Sequence, residues 1–187
     1  MKIDLNGKRA LVTGAARGIG QAIAAQLSAN GAHVACADID GQAVRKSAAE
    51  VANAISAEMD ISDESQVKRG MEQIVDQLGG LDILVNNAGI NTMKHRVNID
   101  QFPLEEWERI LKVDLTGTYL VSKAAIPSLA RQDGGRVVNI ASVMGVVPAR
   151  LQCAFTAAKA GIVHLTKTMA IVIGVESIMV FCRWGAG

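Results

Sequence analysis

The chain has 187 residues, half of them apolar but only 3% aromatic, which suits one domain with a core of Ala, Val, Ile and Leu, the composition of α/β proteins. Its net charge of +1 and interspersed acids and bases give no electrostatic basis for nucleic acid or an anionic membrane as the main partner. The cysteines, Cys36, Cys153 and Cys182, are odd in number, far apart and without metal-ligand spacing, so they are expected to be reduced and buried in a cytoplasmic protein.

At the start, MKIDLNGKRALV meets a glycine and several charges before any apolar run develops, unlike a signal peptide. No stretch reaches the roughly 18 uninterrupted apolar residues of a membrane span, because Lys167 and Glu176 break the most apolar region. Ala10, Leu11 and Val12 form a strand ending that leads into Thr13 to Gly20, reading TGAARGIG. Gly14 permits a tight turn, Gly18 lets a ligand approach the backbone, and Gly20 lets the following helix pack against the sheet. Free N–H groups and the positive end of the helix dipole then favour a pyrophosphate, although a glycine trio taken alone also suits an ordinary turn.

Ile19, Ile23 and Leu27 mark the buried face of that helix, and Asn30-Gly31 ends it. Ala32 to Ala37 reads as a strand covered on both faces. It ends at Asp38, about 20 residues beyond the glycine turn, where a dinucleotide fold places a carboxylate on the adenosine ribose. A helix over Gly41 to Asn53 and a strand over Ala54 to Met59 follow, the strand ending in Asp60. Ser62 or Asp63 caps a helix with the apolar face Val67, Met71, Ile74, Val75 and Leu78, stopped by Gly79-Gly80. Leu81 to Val85 is a fourth strand running into Asn86-Asn87-Ala88-Gly89. Strands and helices alternating through short connections call for a parallel sheet with right-handed crossovers.

Asn91 to Gln101 reads as a loop, with His95 solvated rather than catalytic. Pro103 opens a helix with Leu104, Trp107 and Leu111 on one face, and a long helix runs through Val113 to Arg131. Gly135 to Ala141 is a fifth strand with Ser142 just past its end; a helix over Phe155 to Ile173 and a sixth strand over Ser177 to Cys182 complete the chain. His33 and His164 lie in apolar patterns and read as core or rim residues. Tyr119 and Lys123 are ordinary i,i+4 helix neighbours rather than a catalytic pair.

TGAARGIG, Asp38, Asp60 and NNAG, in this order and spacing, resemble the short-chain dehydrogenase/reductase family from about Lys8 to about Ser177. The resemblance implies an α/β, Rossmann-like doubly wound parallel sheet of about six strands in the order 3-2-1-4-5-6, with helices on both faces. It implies an NAD(H) site in which Gly14, Arg17, Gly18, Ile19 and Gly20 surround the pyrophosphate and Asp38 holds the ribose. Asp60 with Ile61 lies by the adenine, and Asn87, Ala88 and Gly89 line the cofactor cleft. The reaction implied is hydride transfer with a small alcohol or carbonyl substrate, Ser142 holding the substrate oxygen and Lys159 gripping the nicotinamide ribose. Where the family carries its proton-transferring Tyr this chain has Phe155, and where it carries a water-holding Asn this chain has Asp114.

Phe155 keeps the ring but deletes the atom that carries the proton, so turnover is expected to be strongly impaired; a positioned acid or base contributes about 10²–10⁴ in rate. NAD is expected over NADP, because a 2′-phosphate beside Asp38 sets two anions together, and Arg17 is the one cation nearby while Ile39 and Asp40 supply none. Residues 1–187 are expected to form a single dinucleotide-binding domain without the family's C-terminal substrate lid and seventh strand. Asp114 to Arg131 and Phe155 to Ile173 are expected to pair two copies as a homodimer or higher oligomer. A non-catalytic dinucleotide-binding or interaction protein is the competing reading.

Overall fold

Strand β1 (Arg9–Thr13) is apolar at its centre and buried on both sides, and the rest of the molecule is laid out around it. The computed structural model describes residues 3–92, 96–131, 134–173 and 178–183. After β1 come α1 (Gly18–Ala29), β2 (His33–Asp38), α2 (Gly41–Ala49), β3 (Ala54–Glu58), α3 (Glu64–Leu78) and β4 (Ile83–Asn86). Then follow α4 (Leu104–Ile110), α5 (Thr118–Leu129), β5 (Arg136–Ile140), α6 (Cys153–Ile173) and β6 (Met179–Arg183). The strands form one parallel sheet in the order β3-β2-β1-β4-β5-β6, with Leu11 of β1 in register with Ala35 of β2 and Leu84 of β4.

Alternation along β1 divides the core. Leu11, with Leu84 and Val137, faces Val67, Met71 and Ile74 of α3 and Val121, Ala125 and Leu129 of α5. Ala10 and Val12, with Val34 and Cys36, face Ala24 of α1 and Val44 and Ala48 of α2. Both faces of the central strands are therefore covered, as a parallel sheet requires. Asp63 caps α3 by accepting the Ser65 and Gln66 N–H groups and the Ser65 hydroxyl, which hold its carboxyl at about 2. Gly79, at φ 73°, ends the same helix in the left-handed region.

Several local expectations are corrected. The buried face of α1 is Gly20, Ala24 and Ser28, whereas Ile23 and Leu27 flank it and Ile19 is 66% exposed. Small residues let the helix approach closely enough for the Ser28 hydroxyl to donate to the Ala52 carbonyl. Helix α2 stops at Ala49 instead of Asn53, whose φ of 51° ends the segment before β3. Pro103 is the extended residue before α4, and Ile110 rather than Leu104 is its fully buried side chain. Between α4 and α5 the chain widens into a π-helical segment, Leu111–Gly117, so the expected long helix starts five residues later. Cys36 is buried, and burial raises its thiol to about 11, but Cys153 and Cys182 are only half-buried. His33 and His164 are exposed, not core residues.

Candidate functional site

The loop between β1 and α1 depends on its three glycines for different reasons. Gly14 and Gly18 have φ of 65° and 60°, the left-handed region that L side chains avoid. A Cβ on Gly14 would lie 2.8 Å from the Ala88 Cα, whereas one on Gly18 would meet nothing within 4 Å. At Gly20 a Cβ would run into the Gly14 carbonyl and come 2.5 Å from Asn87 Nδ2. Gly20 thus packs against its own loop and the end of β4. Arg17 is the extended residue just before α1, and its side chain makes no capping bond. The first N–H groups of α1 lack intrahelical acceptors, as at any helix start.

Backbone and side-chain bonds fix this loop to both neighbouring strands. The Ala15 N–H donates to the Ala37 carbonyl at 3.1 Å, and the Ala16 N–H donates to Asp38 Oδ2 at 3.1 Å. Asp38 Oδ1 accepts the Asp40 N–H, so the carboxylate is oriented by one bond on each oxygen while keeping further acceptor capacity. On the other side, Thr13 Oγ1 accepts the Asn87 and Ala88 N–H groups, each at 3.1 Å. The Asn87 amide returns two bonds, to the Thr13 and Gly14 carbonyls at 3.0 and 3.2 Å. This clasp closes the gap between β1 and β4, the point where the strand order reverses.

Above the clasp lies a cleft of about 460 Å³. Of the sequence-predicted residues it brings together Gly14, Arg17, Ile19, Asp38, Asp60, Ile61, Asn87, Ala88 and Gly89. Asp60 Oδ1 accepts the Ser62 N–H at 2.8 Å, and Ile61 is buried against Gly117. Arg109 of α4 also lines the cleft, bound to both carboxylate oxygens of Glu106 at 2.7 and 2.9 Å.

Beyond Gly89, Asp114 meets Lys159 of α6, with Phe155 on the same helix and Ser142 at the end of β5. Asp114, in the π-helical segment, is fully buried; its Oδ1 accepts the Ile90 N–H at 2.8 Å, and its Oδ2 lies 3.3 Å from Lys159 Nζ. Burial raises the Asp114 carboxyl, opposed by Lys159 and by the Ile90 bond. Lys159 is buried too and donates to the Ile140 carbonyl at 3.3 Å. One turn earlier on α6, the Phe155 ring centroid lies 5.5 Å from the same ammonium. Ser142 follows β5 and caps the short turn Val143–Gly145 by accepting the Met144 N–H. Gly145 packs against the backbone of Lys159, where a Cβ would come within 2.7 Å.

Tyr119 is exposed on α5 and its neighbour Lys123 pairs with Glu64 at 2.9 Å, outside the cleft. His95 lies outside the described residues. Among the described residues no group of three or more His, Cys, Asp and Glu is placed to hold a metal ion, and no helix is long and apolar enough to cross a membrane. Sequence reasoning missed the clasp role of Thr13, the cleft position of Arg109, and a buried polar chain under the site. In that chain Asn86 Nδ2 donates to Ser122 Oγ and to Asn139 Oδ1, and Asn139 Nδ2 donates to Thr166 Oγ1 at 2.9 Å. Its sequence signal is an asparagine closing or interrupting each of two apolar strands, ILVN and RVVNI.

A short chain dehydrogenase family model matches residues 8–183. The 3-oxoacyl-(acyl-carrier-protein) reductase FabG of Aquifex aeolicus is 38% identical over 185 residues, covering 96% of this chain and 73% of that protein. The D-beta-hydroxybutyrate dehydrogenase of Cupriavidus necator is 38% identical over 171 residues, and there the match spans 89% of this chain but 65% of the relative. A solved structure of NAD+-bound xylitol dehydrogenase superposes with a TM-score of 0.92 at 31% identity, covering 99% of this chain and 74% of that one. Sheet order, cleft and sequence agree, and the chain belongs to the short chain dehydrogenase family.

Proposed function

We propose that this chain binds NAD(H) in the cleft between Asp38 and Gly89 and carries out, at strongly reduced rate, hydride transfer between the cofactor and a small secondary alcohol or ketone. The observation that carries this reading is the joining of Gly14, Arg17, Asp38, Asp60 and Asn87–Gly89 in one cleft at the carboxyl ends of parallel strands, where the strand order reverses. The residues fit a dinucleotide. Gly18 leaves open space over the start of α1, and Asp38 keeps free acceptor positions at the end of β2. A family neighbour solved with NADH, the 3-ketoacyl-(acyl-carrier-protein) reductase of Brucella melitensis, supports the same class of ligand.

Bound cofactor supplies the hydride, so the protein must fix the substrate oxygen and move one proton. Ser142 is the group proposed to hold the oxygen, rotating its hydroxyl away from its own turn. Lys159, held by Asp114 and the Ile140 carbonyl, is proposed to fix the ribose next to the nicotinamide. Phe155, one turn before Lys159 on α6, offers no donor or acceptor for the proton, which is the proposed physical basis for slow turnover. The carboxylate of Asp38 supports NAD over NADP by repulsion of a 2′-phosphate.

Titration calorimetry with NAD+ and NADP+ tests the binding, tighter binding of NADP+ overturning the cofactor assignment. Phe155→Tyr tests the chemistry: turnover of simple secondary alcohols is expected to rise by about 10²–10⁴. A variant that binds NAD+ but gains no turnover favours the second reading, a dinucleotide-binding or interaction protein. That reading is supported by the aromatic and carboxylate contacts that already occupy Lys159. It would use the two helical stretches 114–131 and 155–173 to pair subunits.

A further inference from the structure

The cleft runs from Asp38 at the end of β2, past the start of α1, to Gly89 after β4. A dinucleotide with its adenosine at Asp38 and its pyrophosphate at α1 reaches the Gly89 end with its nicotinamide half. Directly behind Gly89 sits the Asp114–Lys159 pair. A Cβ on Gly89 would lie 3.1 Å from Asp114 Oδ2 and 3.2 Å from Lys159 Nζ. The pair is dry, with side-chain exposures of 0% for Asp114 and 7% for Lys159.

The carboxylate charge has no structural return of its own. Oδ1 accepts the Ile90 N–H, which an amide oxygen would accept equally well, and Oδ2 receives no hydrogen bond. A buried charge is costly unless it serves an opposite one, and the nearest opposite charge here is Lys159 at 3.3 Å, with Arg109 acting from further off. The nicotinamide ring is a cation when oxidised and neutral when reduced. A lone ammonium buried behind that end of the cleft repels only the oxidised ring, whereas a carboxylate 3.3 Å from the ammonium cancels the repulsion.

Resting on the dinucleotide reading above, we propose that Asp114 is a specificity residue for the oxidation state of the cofactor: by neutralising Lys159 it removes the bias against the oxidised nicotinamide that a lone buried ammonium would impose. The site is thereby able to hold the form that accepts hydride from an alcohol as well as the reduced form.

The test compares dissociation constants of NAD+, NADH and ADP-ribose, which lacks the nicotinamide, for the native chain and Asp114→Asn. The variant is expected to raise the ratio of the NAD+ to the NADH constant on the order of 3- to 10-fold, with ADP-ribose changing less than about twofold. Asp114→Ser removes the same charge with a smaller side chain and is expected to act in the same direction, which covers misfolding of the amide variant. An unchanged or falling ratio, or a parallel loss for all three ligands, overturns the proposal. The native chain alone is also decisive: NAD+ is expected to bind within about threefold of NADH, and any larger native preference for NADH overturns the proposal. If ADP-ribose binds and the ratio does not move, only this inference fails. If none of the three ligands binds the native chain, the dinucleotide reading fails with it.

Discussion

Gly18 and Gly20, two residues apart at the start of α1, are constrained by unrelated physics, and substitution separates them. At Gly18 the cost of a side chain is conformational, because φ is 60° and the space around it is open. Gly18→Ala is expected to lower stability by about 1–2 kcal/mol, and Gly18→Asn to recover part of that loss, since Asn enters the left-handed region more readily. At Gly20 the cost is collision with the Gly14 carbonyl and Asn87, so Gly20→Ala should lose about 1–3 kcal/mol and Gly20→Asn more. Urea titration of the four variants checks the opposite order at the two positions. The site was legible where a residue type does something others cannot: a glycine at positive φ, a carboxylate closing a strand, an asparagine after β4. Thr13 was not legible, because its role comes from N–H groups 74 and 75 residues away that only the folded sheet brings to its hydroxyl. Apolar spacing put Ile19 on the buried helix face for a related reason, whereas it lines the cleft, as the family resemblance implied. At the first turn of α1 the helix faces the cleft, and apolar spacing cannot tell a core from a ligand site.

Among the elements, β4, β5, α5 and α6 are joined by side chains as well as by sheet bonds. The Ser122, Asn86, Asn139 and Thr166 chain runs from α5 through two strands to α6, and so ties the helix bearing Lys159 to the strand that precedes the Asn87 clasp. Asn139 is fully buried, and Asn139→Ala removes an acceptor from Asn86 and a donor from Thr166. The expected loss is about 2 kcal/mol. Thr166→Val should lose less, because Asn139 keeps its bond from Asn86, and the double variant should lose less than the sum. A double-mutant cycle by chemical denaturation measures that coupling; strict additivity would show that the two helices are held independently. At this scale strand and helix order was legible from apolar runs punctuated by Gly, Asn and Asp. The π-helical segment Leu111–Gly117 was not, because one extra residue per turn leaves no trace in hydrophobic spacing. That segment matters to the site, since it carries Asp114 at the position where its carboxylate meets both Ile90 and Lys159.

Across the whole molecule, burial falls from the centre of the sheet towards β6. In β1 Ala10, Leu11 and Val12 are fully buried, whereas in β6 Met179 and Phe181 are each 48% exposed. They share a face with Arg136 and Val138 of β5, opposite the face on which α6 packs through Met169 and Ile173. Among the described residues α1 and α2 cover that first face over β3, β2 and β1, and the apolar cluster beneath them reaches Val85 of β4 and Val138 of β5 but includes no residue of β6. Local stability follows such burial, so backbone amides of β6 should exchange with solvent fastest among the strands, and those of β1 slowest. Dinucleotide binding should act elsewhere. Ligand at about 100 times its dissociation constant stabilises the folded state by about 2.7 kcal/mol, which for a domain of this size raises the melting temperature by roughly 5–10 °C. Added protection should concentrate at the loop 14–17, the start of α1 and the segment 87–90, because these surround the cleft and are already linked through Thr13 and Asn87. The β6 amides should gain little beyond the global term. Hydrogen exchange followed by mass spectrometry with and without NAD+ distinguishes this from a ligand bound on the open face of β5 and β6, which would protect Met179–Arg183 first.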